Sequence, residues 1–142
     1  MSRIKIQLPE QFSFFASIPI RITDLNYGGH VGNDTVLSLL HEARVQFLKS
    51  VGYAELEFEG VSLIMSDVGI EFKQELFYGD VVKAFVAVNN FTKVSFDVYY
   101  KLVREADQKI VTIAKSAMVC YNYDSRKIVA IPEKAKEKLL MY

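Results

Sequence analysis

Cysteine is almost missing from this chain. Cys120 stands alone, so no internal disulfide can form, and a reducing compartment, the cytoplasm, is expected. Histidine is nearly as scarce: with His30, His41 and one thiol, no structural zinc site is expected, and no other metal or cofactor is implied. Neither sign of charge is in excess, since 17 basic and 17 acidic side chains leave a formal net charge of zero. The basic footprint of a nucleic-acid partner is therefore absent. No run approaches the roughly 18 apolar residues that span a bilayer, and residues 1–10 lack the continuous apolar core of a secretory signal. Repeats, linkers and low-complexity segments are missing too. What remains is a chain of 142 residues, 51% of them hydrophobic, which suits one domain with a substantial core.

The hydrophobic pattern changes period once. Residues 13–23 are rich in aromatic and β-branched side chains and read as a first strand, with Pro19 demanding an edge position or a break. Residues 34–51 follow a helical period, with Val36, Leu37, Leu40, Ala43, Phe47, Leu48 and Val51 on one face. Leu39 and Val45 widen that face, and Thr35, Ser38, Glu42, Gln46 and Lys49 form the polar stripe opposite. Such a helix is about 27 Å long. From residue 61 the period is two, giving strands over 61–76, 81–89, 94–104 and 110–123 joined by tight turns, with Gly69 marking a bulge or a close backbone approach. A short helix over 133–140 begins behind Pro132. Tight turns make the strands antiparallel. An α+β fold follows, in which a curved five-stranded antiparallel sheet wraps around one long helix.

Between the first strand and that helix lies Asp24-Leu25-Asn26-Tyr27-Gly28-Gly29-His30-Val31-Gly32-Asn33-Asp34. Glycines at 28, 29 and 32 suit a loop that turns sharply or admits another molecule. Asn33 and Asp34 are expected as helix caps, and Asp24 as either a loop cap or a site residue. His30 has little to pack against in a glycine-bracketed loop and is the nearby side chain whose charge changes near neutrality, so it is the candidate base. Glu42 is either a second candidate carboxylate or a solvated partner of Gln46 or Lys49. His41 and Arg44 read as packing or subunit contacts, and Cys120 as plain core.

The pattern Asp-x-Asx-x-x-Gly-His-Val-x-Asn, running from Asp24 to Asn33 ahead of a helix carrying Glu42-Ala43-Arg44, resembles the hot-dog-fold acyl-CoA thioesterases. The group typified by 4-hydroxybenzoyl-CoA thioesterase is the most similar, and the resemblance extends to Phe77-Tyr78-Gly79-Asp80 and Ile131-Pro132. It implies hydrolysis of an acyl-CoA, and a catalytic carboxylate two residues after Asp24. That position holds Asn26, whose amide is neither nucleophile nor base. The His30–Asn33 portion is also similar to acyl-ACP thioesterases, in which a histidine of this motif takes part in catalysis. There an Asn two residues before the histidine also matters, where this chain has Gly28.

The resulting expectation is a site with Asn26, His30 and Glu42 as catalytic candidates. Asp24, Tyr27, Gly28, Gly29, Gly32, Asn33 and Asp34 would bind substrate, and Lys73, Lys93, Arg126 and Lys127 could meet CoA phosphates. Free N–H groups at the helix start would polarise the thioester carbonyl. The alternative is a non-hydrolytic hot-dog protein that binds acyl thioesters, because Asn26 replaces the carboxylate; a dehydratase of this fold would need a His-and-Glu signature that is not evident. Sheet edges left unpaired imply a homodimer or homotetramer, with sites at the subunit interface. No nucleic-acid or membrane partner is expected.

Overall fold

The computed structural model describes residues 2–141. Five strands form an antiparallel sheet in the order β1-β3-β4-β5-β2: β1 Phe14–Pro19, β2 Ser62–Phe72, β3 Val81–Asn89, β4 Ser95–Arg104 and β5 Lys109–Asn122. A sixth strand, β6 (Lys127–Ile128), was not expected from the sequence; it pairs with the end of β5 across the turn at Asp124-Ser125-Arg126. Two residues are too few to carry an alternating signal.

The first strand ends earlier than its composition suggests. Pro19 is its last residue and β1 is an edge strand, so the missing N–H breaks no central ladder. The chain then turns through a 3-10 segment at Ile22–Asp24.

The long helix, α1 (Asn33–Ser50), lies against the sheet, and its Val36, Leu39, Leu40, Ala43, Phe47 and Leu48 join one core with Val82, Val86, Phe96, Val98, Tyr100, Leu102 and Met118. Two residues depart from the expected facing. Leu37 and Val45 are each 40% exposed, while Arg44 is buried. The helix buries a narrower stripe than its apolar residues would fill. Asn33 and Asp34 are not its caps: Gly32 holds the cap position in extended conformation, and its carbonyl accepts the first helical bond from the Val36 N–H at 3.2 Å.

A bulge interrupts β2, but between Met65 and Asp67 rather than at Gly69. Nor is Gly69 a close backbone approach: a Cβ built there would make an ordinary 3.5 Å contact with the side chain of Ile4, on the N-terminal arm. The arm is tied down where the Ile6 N–H donates to Glu71 Oε2 at 2.7 Å. At the other end, α2 (Glu133–Leu140) starts behind Pro132 and buries Ala135 and Leu139. Among the described residues no helix is long and apolar enough to cross a membrane.

Candidate active site

The loop that joins β1 to α1 is built from its own backbone. Leu25 and Val31 pair as an isolated bridge, which closes the loop at its base. Inside it the Asn26 N–H donates to the His30 carbonyl at 2.9 Å and the Gly29 N–H to the Asn26 carbonyl at 3.1 Å. Gly29 takes φ +83°, the left-handed region that glycine enters at least cost. Outside it, the Val31 N–H donates to the Leu76 carbonyl at 2.9 Å. That bond docks the loop on the segment that follows β2.

His30 is half-buried, and its two ring nitrogens have different neighbours. Nδ1 lies 3.1 Å from the Val31 carbonyl oxygen, which can only accept, so in the neutral ring Nδ1 carries the hydrogen. The lone pair is then on Nε2. His30 lines a cavity of about 260 Å³ together with Asn33, Val36, Leu76 and the buried Thr112. Glu75 also lines this cavity, with Oε1 3.8 Å from His30 Nε2. The Phe77 ring stands edge-on to the imidazole with centroids 6.5 Å apart.

Asn26 lies beside His30 within the loop. Its Oδ1 accepts the Gly28 N–H at 2.8 Å, which leaves the Nδ2 hydrogens as donors. A Cβ built on Gly28 would lie 3.2 Å from Asn26 Oδ1 and 3.5 Å from His30 Nε2; one built on Gly32 would lie 3.7 Å from Asn26 Nδ2. Of these, only the approach of a Gly28 Cβ to Asn26 Oδ1 is tighter than an ordinary contact. A Cβ at Gly32 would also stand 2.7 Å from Asp34 Oδ1, closer than such atoms come. Asp34, in the first turn of α1, supports the helix dipole.

The remaining candidates fall elsewhere. Asp24 is buried and turned inward, accepting the Arg21 N–H at 2.8 Å with the Arg21 guanidinium 3.6 Å away, so its work in this chain is to cap the 3-10 turn. Glu42 shares a separate groove of about 390 Å³ with Asp24, Arg21 and Gln46, and accepts a hydrogen bond from Gln46 at 2.8 Å. Nine residues separate Glu42 from Asn33, half a turn out of phase at about 100° per residue, so one chain does not bring Glu42 to His30. Tyr27 projects fully into solvent. Of the four proposed phosphate contacts, Lys73 lines the His30 cavity and is held 3.3 Å from Glu71.

One residue beside the site escaped the sequence pattern. Glu75 falls within the strand expected over 61–76, but β2 ends at Phe72, which leaves Glu75 on an irregular segment. Arg44 is the buried cation of a polar chain: its Nη1 donates to the Tyr100 hydroxyl at 2.9 Å, and that hydroxyl lies 2.7 Å from Ser116 Oγ. Glu55 completes the chain, 3.5 Å from Arg44 Nε and 2.7 Å from His41 Nε2. Burial raises the Tyr100 phenol above its ordinary range. Arg44 is thus a buried packing residue, and His41 is an exposed partner of Glu55. Cys120 is buried core, and desolvation pushes its thiol up to about 11, which leaves it unreactive at neutral pH.

Known proteins resemble this chain in sequence and in fold. Residues 20–139 match the family model of the thioesterase-like superfamily. An Aquifex aeolicus (strain VF5) protein carried under an esterase name is 26% identical over 113 residues, spanning 78% of this chain and 85% of its own. The structure of a 1,4-dihydroxy-2-naphthoyl-CoA thioesterase from Synechocystis superposes with a TM-score of 0.82 at 18% identity, covering 89% of this chain and 95% of that one. A DHNA-CoA thioesterase from Staphylococcus aureus gives a TM-score of 0.79 at 17% identity, covering 89% and 90%. At these identities the two structures establish a common fold.

Proposed function

The chain belongs to the thioesterase-like superfamily, and from that premise we propose that it hydrolyses an acyl-CoA to the free acid and CoA, in the cytoplasm. The observation that carries this reading is the convergence at the loop. His30 and Asn33, the first residue of α1, line one cavity, and Asn26 stands beside His30 in the same loop.

In this mechanism His30 Nε2 takes a proton from water as the oxygen attacks the thioester carbonyl carbon. The carbonyl oxygen gains negative charge, which the N-terminal N–H groups of α1 and the Asn26 Nδ2–H stabilise. As the tetrahedral species collapses, the C–S bond breaks and the proton passes from the imidazolium to the CoA sulfur. Asn26 orients; it transfers no proton. Lys73, at the cavity wall, is the contact for an anionic part of the substrate.

The working unit in this reading is a homodimer or homotetramer. The outer strands β1 and β2 carry unpaired backbone, and β2 runs for 11 residues with Met65 and Phe72 exposed. Pairing such an edge with a second copy satisfies it. Glu42 would then approach a site only from the neighbouring subunit.

Asn26 at the usual carboxylate position favours one other reading, a protein that binds acyl thioesters without cleaving them. Release of free CoA from a panel of aliphatic and aromatic acyl-CoAs, followed with a thiol-detecting dye, separates the two. Turnover on any member supports hydrolysis, and binding without thiol release supports the alternative.

A further inference from the structure

The loop leaves one question of chemistry: what replaces the carboxylate at position 26. We infer that Glu75 does, by sharing the attacking water with His30. This rests on the hydrolytic reading above and adds a residue to it.

His30 Nε2 and Glu75 Oε1 are both acceptors and stand 3.8 Å apart at the wall of one cavity. With hydrogen bonds of about 2.8 Å, a single water spans that gap by donating one hydrogen to each. Both its lone pairs are then free to face the thioester carbonyl. On attack the O–H bond to His30 breaks, its proton moves to Nε2, and the new C–O bond forms. The imidazolium so produced lies beside the Glu75 carboxylate, which offsets its charge until the proton leaves on the CoA thiolate.

The placement of Glu75 is not that of a free surface residue, although its side chain is solvated. Its own carbonyl accepts Arg104 Nη1–H at 2.8 Å, and the neighbouring Gln74 side chain accepts Arg104 Nη2–H at 2.6 Å. Before it, the N–H groups of Lys73 and Gln74 both reach the Val111 carbonyl. After it, Leu76 is buried and accepts the Val31 N–H from the histidine loop itself. The backbone under Glu75 is thus fixed to β4, to β5 and to the loop that carries His30. Arg104 is held in turn by Asp107, whose hydrogen bonds raise the guanidinium's pKa. The other charged side chain lining the cavity is Lys73, whose Nζ lies 3.3 Å from Glu71 Oε1. Glu75 is the carboxylate turned toward the imidazole.

The test is the pH profile of acyl-CoA hydrolysis for the parent chain, Glu75→Gln, Glu75→Asp and, as a control for surface charge, Glu105→Gln. Glu75→Gln should lose about tenfold or more in kcat with little change in KM. Because the amide cannot support an imidazolium, the acidic limb of its kcat profile should move to lower pH. Glu75→Asp should recover part of the rate, Glu105→Gln should follow the parent, and all four should melt alike. A parent that turns over while Glu75→Gln matches it in rate and profile overturns this inference and leaves the thioesterase reading standing. A parent inert on the whole panel overturns that reading, and this one with it.

Discussion

Tyr100 shows what a single hydroxyl contributes inside this fold. It sits fully buried on β4 between the Arg44 guanidinium at 2.9 Å and Ser116 Oγ at 2.7 Å, so removing it leaves two polar groups without that partner. Tyr100→Phe should therefore lower stability by about 1–3 kcal/mol, although it removes only one atom. Chemical denaturation measures this, and a midpoint equal to the parent's would mean that Arg44 and Ser116 find other partners. The same scale decides how much of the site could be read from sequence. His30, Asn26 and the glycines were legible because they are consecutive, and glycine at 28 and 32 is explained by the Cβ contacts it avoids. Glu75 was not legible. It reaches His30 through a backbone bond between Val31 and Leu76, and no local pattern encodes a contact of that range. Arg44 was expected as a packing or subunit contact, and it is buried against Tyr100 and Glu55.

Within α1 the burial stripe sets the cost of each substitution. Leu40 and Phe47 are each 1% exposed, and Leu40→Ala or Phe47→Ala should cost roughly 2–5 kcal/mol. Thr35→Ala or Lys49→Ala should cost far less. Thermal melts giving similar losses for all four would contradict the helix facing. Helix and strands were largely legible because their periods, 3.6 and 2, differ plainly, and the strand at Val81–Asn89 matches its expected bounds. The ends were less so. Asn33 and Asp34 look like caps by type, but the extended conformation that a cap needs falls on Gly32, which can sit tightly against Asp34. The N-terminal arm is a further element without a sequence signal, and its anchor titrates. The Ile6 N–H, followed by Lys73, holds the Glu71 carboxyl below its ordinary range. A depressed folded-state pKa contributes stability that is present above the unfolded value, about 4.3 for a glutamate, and lost as pH falls through the folded one. Exchange protection of the Ile6 amide should accordingly hold at neutral pH and begin to fall below about pH 4. Protection unchanged by strong acid, or unchanged in Glu71→Ala, would show that something else holds the arm.

The whole molecule leaves two strand edges and one long helix with apolar residues in solvent, including Leu37, Val45, Met65 and Phe72. A sheet with such edges is expected to pair with itself. Light scattering at micromolar protein should give a mass of at least twice the 16.2 kDa chain, and a stable monomer would contradict the oligomer. At this scale the sequence was informative about fold class, since one change of period gives a helix followed by antiparallel strands. The turn expected at residues 77–80, however, does not make β2 and β3 neighbours: β2 crosses to the far edge and pairs with β5. The sequence was silent on which acyl group the site takes, because the cavity is shaped by segments far apart in the chain. The claim on which the account turns is that His30 is the base for thioester hydrolysis. Thiol release from an acyl-CoA by the parent, His30→Ala and Asn26→Asp, measured side by side, tests it most directly. His30→Ala should lower kcat by about 10²-fold or more. Asn26→Asp should keep or raise activity, because Oδ1 still accepts the Gly28 N–H and a carboxylate returns to the site. A His30→Ala variant that turns over at the parental rate would contradict the account.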